Sequence, residues 1–174
     1  AQLLGTLDGL ARAGRQASAD VRRELATLQL QTIELIGPRW NELHAGQQRR
    51  VDRLHAQALA DAGRMADALA AYAELARLQP DDAAVQESYA ALLSDQDDGE
   101  SRRLALARWR AIEKRTQPDT ERWYRVKYAI AQLHLREGRA DQAAKMIDLL
   151  ELLHPELGGP AMKARFHALR ARCR

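Results

Sequence analysis

The chain has 174 residues, of which 29% are charged, and its formal net charge is +3. Helix-forming Ala, Leu, Arg, Gln and Glu are abundant and Phe occurs once, so the composition argues against a sheet protein. No apolar run approaches the roughly 18 residues that span a membrane. The sole cysteine, Cys173, excludes an internal disulfide. We expect a free thiol at a frayed end, with a bridge to another molecule as the alternative, so the compartment and the oligomeric state stay open.

In chain order, the spacing of apolar residues predicts nine helices. They cover 2–13, 18–36, 39–61, 65–78, 83–94, 100–116, 120–137, 140–153 and 160–172. Asp82 and Asp119 each stand shortly after a proline and are expected to cap the helices that follow them. Pro160 suits the first position of the last helix. The segment SDQDDGE (94–100) is expected to form an exposed acidic loop.

The segment 39–61 keeps a helical period across Gly46. The residues that carry this period are Trp40, Leu43, Val51, Leu54 and Ala58. We therefore predict one long helix, bent at Gly46, with a short linker helix followed by a separate helix as the alternative.

One template of residues recurs along the chain. It consists of a Gly, an Ala five residues later, a bulky residue four later, an apolar residue three later and a Pro five later. Two complete copies are Gly63, Ala68, Tyr72, Leu75, Pro80 and Gly138, Ala143, Ile147, Leu150, Pro155. A third copy lacks the Gly and has its Pro one residue late: Ala105, Trp109, Ile112, Pro118. A fourth, weaker copy is Ala26, Leu30, Ile33, Pro38. The small Ala allows close approach of two helices, and the Gly accepts a left-handed turn. We expect Ala68 and Ala143 to be buried.

This pattern resembles the tetratricopeptide repeat, a helix–turn–helix unit of about 34 residues. The resemblance covers 49–156 well and 3–38 loosely. It departs from the family where a large aromatic would begin each first helix, since Asp52, Gln86 and Lys127 stand there. The resemblance implies an all-α solenoid formed as one continuous domain. Its parts would be a degenerate helix pair (1–38), three helix pairs with an extended first helix (39–156), and a capping helix (157–174).

A stripe of apolar residues within 160–172 predicts the capping helix. Met162, Phe166 and Leu169 recur at spacings of four and three residues, which places them on one helical face. A terminal repeat needs cover for its open apolar edge. We therefore expect 160–172 to pack on the 140–153 helix.

The resemblance also implies a concave groove lined by the first helix of each pair. Its partner-binding positions would be Arg50, Arg53, Gln57, Glu87, Ala91, Arg125, Tyr128 and Gln132. Arg53 and Gln57 are loosely similar to the clamp with which some family members hold a terminal carboxylate. Ser88 and Ala129 depart from that clamp, so the resemblance does not extend to chaperone-tail binding. A mostly basic, amide-bearing groove suits an acidic or extended peptide.

Catalytic and metal-binding signatures are absent from the sequence. It has no phosphate-binding loop, no Gly-x-Ser-x-Gly element, no His-Glu-x-x-His pattern and no cysteine pair. His55 and His134 fall near the helix-packing seam, where we expect satisfied or partly buried histidines rather than ligands. We expect neither an enzyme nor a cofactor.

Three functions remain open. The favoured one is a non-catalytic adaptor or scaffold that binds a protein or peptide, and the second is a structural spacer or oligomerisation segment. The third is nucleic-acid binding through the basic C-terminal third, since the charge is +2 over 1–58, −8 over 59–100 and +9 over 101–174. The stretch ERWYRVKY (121–128) mixes basic and aromatic residues, but we favour burial of Trp123 and Val126 in the helix seam.

Overall fold

The computed structural model describes residues 2–14 and 16–174, and over these ranges the protein is all-α. Nine α-helices and one 3-10 helix occur there, without a strand. The α-helices are α1 (Gln2–Gly14), α2 (Ala19–Ile36), α3 (Ala45–Asp61), α4 (Met65–Leu78), α5 (Ala83–Ser94), α6 (Gly99–Lys114), α7 (Glu121–Arg136), α8 (Ala140–Leu153) and α9 (Pro160–Ala171). The 3-10 helix covers Gly37–Glu42. The predicted all-α class is confirmed.

The chain forms two compact units, Ala1–Val85 and Gln86–Arg174. In unit 1, α1 packs on α2, α2 on α3 and α3 on α4. The core of unit 1 surrounds Leu7, Ile36 and Val51. In unit 2, α6 packs on α7, α7 packs on α8, and α9 contacts both α7 and α8. Each unit therefore has apolar contacts of its own between helices that are adjacent along the chain.

The two glycine turns of the repeated template have the same geometry. Gly63 (φ +80°) and Gly138 (φ +75°) adopt the left-handed conformation that was expected. Arg64 N donates to Leu59 O (2.9 Å), and Arg139 N donates to His134 O (2.9 Å). These bonds run from the residue after the glycine to the last turn of the preceding helix, which makes each turn a Schellman motif. The template thus encodes one way of ending a helix, used in both units.

The small residues of the template are buried as expected. Ala68 and Ala143 both have 0% exposure, and so does Ala105 in the copy that lacks the glycine. Each stands one turn before a bulky residue that is also buried: Tyr72, Ile147 and Trp109. The side chain at the alanine position has no free space, so these positions admit only a small residue.

The core of unit 2 includes α9. Met162, Phe166 and Leu169 are buried in a cluster with Trp123, Tyr124, Ile147 and Leu150. The expected apolar stripe and the expected contact between α9 and α8 are confirmed. Pro160 occupies the first turn of α9, as predicted.

Segment 39–61 does not form the predicted long helix. The 3-10 helix ends at Glu42, and Leu43 (ψ 134°) and His44 (ψ 159°) are extended, so the chain breaks before α3. His44 then caps α3, because its Nδ1 accepts from Gln47 N (3.3 Å) while Gln47 Oε1 accepts from His44 N (3.1 Å). The alternative of a linker helix and a separate α3 is correct, and Gly46 lies within the first turn of α3.

Of the two predicted helix caps, one is confirmed and one is wrong. Asp82 caps α5, since its Oδ1 accepts from Ala84 N (3.0 Å) and Val85 N (3.1 Å). The prediction for Asp119 is wrong: Thr120 caps α7 by accepting from Trp123 N (3.2 Å). Asp119 instead has a positive φ of 63°. The predicted acidic loop is also shorter than 94–100, because α5 includes Ser94 and α6 begins at Gly99.

Cys173 is buried rather than frayed. Its Sγ donates to Leu169 O (3.3 Å), and it packs with Ala143 and Ala144. The expectation of a frayed end is wrong, because the residues that follow α9 pack against α8.

Candidate functional site

The sequence-predicted groove residues fall in both units. Arg50, Arg53 and Gln57 lie on α3 in unit 1, Glu87 lies on α5 in unit 2, and Arg125, Tyr128 and Gln132 lie on α7 in unit 2.

In unit 1, both predicted arginines have carboxylate partners. Arg50 Nη2 is 2.8 Å from Asp8 Oδ1, which places α3 beside α1. Arg53 Nη1 is 2.8 Å from Asp82 Oδ2, so the residue that caps α5 also binds α3. Both guanidinium groups stay partly exposed to solvent. Their positive charge is offset locally, and such exposed pairs contribute only about 0–1 kcal/mol each.

Gln57 uses both ends of its amide within unit 1. Its Nε2 donates to Asp61 Oδ2 (3.0 Å), and its Oε1 accepts from the hydroxyl of Tyr72 (3.1 Å). Gln57 also borders a cleft between α1, α2 and α3, which we call the α2 cleft.

In unit 2, three predicted residues converge on one cleft, which we call the α7 cleft. Arg125, Tyr128 and Gln132 are spaced at i, i+3 and i+7, so they share one face of α7. Its volume is about 170 Å³. The remaining lining residues are Ala91, Ser94, Asp95, Trp109, Ala129 and Arg165. Ala91, a predicted groove position, and Ala129, which departs from the clamp pattern, are small and leave room for a ligand.

Aromatic side chains form the apolar part of the α7 cleft. The guanidinium of Arg165 lies 4.4 Å from the centre of the Tyr128 ring. Phe166 meets the same ring edge-on with 5.5 Å between the ring centres. Trp109 donates its indole N–H to Ser94 Oγ (2.9 Å), which fixes the orientation of a second ring. Tyr128 and Trp109 are therefore held in place before any partner arrives.

The charge of the α7 cleft is mixed rather than mostly basic. Arg125 Nη1 is 2.9 Å from Glu121 Oε1, one helical turn earlier. Asp95 also lines the cleft. No carboxylate in the described part of the chain pairs with Arg165, which makes its guanidinium the cation available to a partner. The sequence did not single out Arg165, because its only local signal is that it precedes Phe166 of the apolar stripe.

Glu87 does not border the α7 cleft. Its carboxylate binds the guanidinium of Arg122, so it joins α5 to α7 within unit 2. Gln132, in contrast, is exposed at the α7 cleft, and no described residue hydrogen-bonds its side-chain amide.

Trp123 and Tyr124, two of the three aromatic residues of ERWYRVKY, are part of the protein core, whereas Tyr128 lines the α7 cleft. Trp123 and Tyr124 are buried, and Val126 is fully buried. Lys127 binds Glu113, and its ammonium group lies 4.9 Å from the centre of the Trp123 ring. Bases cannot stack on aromatic rings that are already covered, so Trp123 and Tyr124 do not form an exposed stacking surface.

Tyr124 belongs to a polar group that ties two loops together. Its hydroxyl donates to Asp119 Oδ1 (2.8 Å), and His154 Nδ1 is 2.6 Å from the same oxygen. Burial and the neighbouring Asp119 raise the pKa of Tyr124 to about 12. The left-handed backbone of Asp119 thus serves this contact rather than a helix cap.

Two histidines lie in the helix seams, where His134 is buried and His55 is half-buried. Burial lowers the pKa of each, which favours the neutral imidazole. Over the described residues, no three His, Cys, Asp or Glu side chains are close enough together to hold a metal ion. In the same part of the chain, none of the helices combines the length and apolar character needed to cross a membrane.

Comparison with protein-family models, with curated proteins and with solved structures gives no significant match to this chain.

Proposed function

We propose that this protein is a non-catalytic interaction module that binds a peptide or a protein segment in the α7 cleft. The observation that carries the proposal is the convergence of Arg125, Tyr128 and Gln132 on one cleft beside Ala91 and Ala129. An extended peptide could place an apolar side chain on Tyr128 and Trp109, a carboxylate near Arg165 or Arg125, and a backbone amide against Gln132.

We further propose that the chain is a helical-repeat protein of the tetratricopeptide type. Support comes from the matching Schellman turns at Gly63 and Gly138 and from the fully buried Ala68 and Ala143 at equal offsets. In such repeats the first helix of each pair presents residues to partners. The face of α7 that lines the cleft is the one this family would use.

The experiment begins with selection of a displayed peptide library on the immobilised protein. Peptides that also bind the double variant Tyr128→Ala with Gln132→Ala are removed, which enriches ligands of the cleft. Affinity of a selected peptide is then measured by fluorescence anisotropy at low and high salt. We expect modest affinity that weakens as salt rises, because exposed ion pairs are screened.

Charge reversal at two arginines separates a specific site from a general charge effect. Arg125→Glu should weaken binding of an acidic peptide, whereas Arg110→Glu, an exposed position of α6 outside the cleft, should leave it nearly unchanged. Equal loss in both variants would reduce the attraction to net charge and remove the cleft from the proposal. Failure to select any peptide would favour the spacer alternative. Binding of a labelled single-stranded oligonucleotide with a steep salt dependence would favour nucleic acid.

A further inference from the structure

A second cleft lies in unit 1, apart from the residues of the α7 cleft. The α2 cleft has a volume of about 410 Å³. It is lined by Ala11, Gly14, Arg22, Leu25, Gln29, Leu54, Gln57 and Asp61. Its volume falls within the range of about 300–1,000 Å³ that small-ligand sites occupy.

The charged residues of this cleft are already held by the protein. Arg22 donates from Nε to Gly14 O (3.2 Å) and from Nη2 to Ala17 O (3.3 Å). Asp61 accepts from Gln57 Nε2 (3.0 Å). One guanidinium and one carboxylate offset each other, so the cleft has no net charge that would select an ion. Leu25 and Leu54 add apolar surface.

Gln29 differs from the other polar residues of the α2 cleft in its hydrogen bonding. It is only 5% exposed, yet no described residue hydrogen-bonds its side-chain amide. The residue as a whole is buried, but its amide nitrogen and oxygen still reach the space of the α2 cleft, where water or a ligand can contact them. Gln57 in the same cleft differs, because both ends of its amide are engaged. The free donor and acceptor of Gln29 therefore face a space large enough for a ligand.

We propose that the α2 cleft binds a peptide residue through its backbone amide, with Gln29 as donor and acceptor and with Leu25 and Leu54 as the apolar wall. A peptide group presents one C=O and one N–H, which complement the N–H and C=O of a glutamine side chain. Water can meet the same amide in an open cleft, so the ligand must match these hydrogen bonds as it displaces the water. An uncharged residue with a branched apolar side chain fits both the amide of Gln29 and the apolar wall of Leu25 and Leu54. This site is independent of the α7 cleft.

The probe is N-acetyl-leucine N-methylamide, a single capped residue, titrated into isotope-labelled full-length protein. Chemical shifts of the Gln29 side-chain amide and of the Leu25 and Leu54 methyl groups report binding. A ligand of this size is expected to bind in the millimolar range. The ester analogue, in which oxygen replaces each amide N–H, keeps the shape without the donors. We expect it to bind about tenfold more weakly.

Two leucine substitutions on α2 complete the test. Gln29→Leu should weaken binding of the amide probe by about tenfold, because two hydrogen bonds are lost. Gln31→Leu, at an exposed position of the same helix, should leave it unchanged. Equal weakening by Gln29→Leu and Gln31→Leu would reduce the effect to a general change in α2 and would overturn the proposal.

Three further results would also overturn it: no shift at the cleft residues, equal affinity for the amide and the ester, and unchanged binding in Gln29→Leu. The comparison of amide and ester uses wild-type protein, so it stands even if a variant fails to fold. None of these results bears on the α7 cleft, whose test uses α7 variants.

Discussion

Replacement of Gly158 by alanine should destabilise unit 2 for two separable reasons. Gly158 has φ +79°, a backbone conformation that costs an L-residue about 1–2 kcal/mol. In addition, a Cβ at this position would lie 2.6 Å from Cδ2 and 2.8 Å from Cγ of Tyr124. That ring cannot move aside easily, because it is buried and its hydroxyl is bonded to Asp119. Relief of such an overlap costs about 1–3 kcal/mol.

A second glycine isolates the steric contribution. Gly138 has a similar φ of +75°, but no atom lies within 4 Å of a Cβ placed there. Gly138→Ala should therefore lose only about 1–2 kcal/mol, whereas Gly158→Ala should lose about 2–5 kcal/mol. Both substitutions reduce the entropy of the unfolded chain equally, so this effect cancels in the comparison.

The free energy of unfolding is measured by urea titration with circular dichroism and tryptophan fluorescence. A parallel thermal scan should show a shift of about 2–4 °C per kcal/mol for a protein of this size. Both glycines lie in unit 2, so the comparison holds even if the two units unfold separately. Equal destabilisation by the two substitutions would refute the contact between Gly158 and the Tyr124 ring.

Three further predictions address the core, the pH dependence and α9. Ala143→Leu should overpack a site with 0% exposure and lower the free energy of unfolding in urea by about 1–3 kcal/mol. The control Ala168→Leu, at an exposed position, should change it by no more than about 0.5 kcal/mol. Equal effects of the two substitutions would contradict the close helix contact at Ala143. The folded protein raises the pKa of Tyr124 from 10.0 to about 12 and so holds a proton that the unfolded chain releases first. Stability should therefore fall as pH rises through this interval, and Tyr124→Phe should make the fall smaller; an unchanged pH profile would count against the shift. Truncation after Pro155 removes α9 from the core of unit 2 and should increase binding of a hydrophobic dye, so wild-type dye binding would contradict the role of α9.

Local signals in the sequence predicted most of the helices and their turns. Gly63 and Gly138 could be placed because a left-handed residue after a helix strongly favours glycine. Ala68 and Ala143 could be placed because helical period and residue size both point to a close contact. Such signals depend on a few neighbouring residues, and a single sequence contains all of them.

The errors arose where the local sequence is compatible with two solutions. Asp119 and Thr120 are both good caps, and the contact of Asp119 with Tyr124 and His154 decided between them. The apolar period across Gly46 predicted a continuous helix, but the reciprocal bonds of His44 and Gln47 begin α3 afresh. A histidine that accepts a capping bond has little statistical signal in the sequence.

The candidate site was predictable only in part, for a related reason. The face of α7 follows from helical spacing, and the pair of Glu121 and Arg125 follows from a spacing of four residues. The partners of Arg50 and Arg53 are Asp8 and Asp82, each separated by many residues along the chain. The predicted groove positions therefore look more basic in the sequence than their paired side chains are in the folded protein.

The buried position of Cys173 allows the local opening of the end of α9 to be measured by thiol labelling. A thiol reagent cannot reach its Sγ while the end of α9 is packed on α8, so labelling requires a local opening of that end. When opening and closing are fast relative to the reagent, the labelling rate equals the intrinsic thiol rate multiplied by the fraction of molecules that are open. Because the chain has no other cysteine, the added mass at each time point gives the labelled fraction, and the labelling rate divided by the intrinsic thiol rate gives the open fraction. The opening free energy of one helix end can thus be followed in the unmodified sequence, without an engineered reporter.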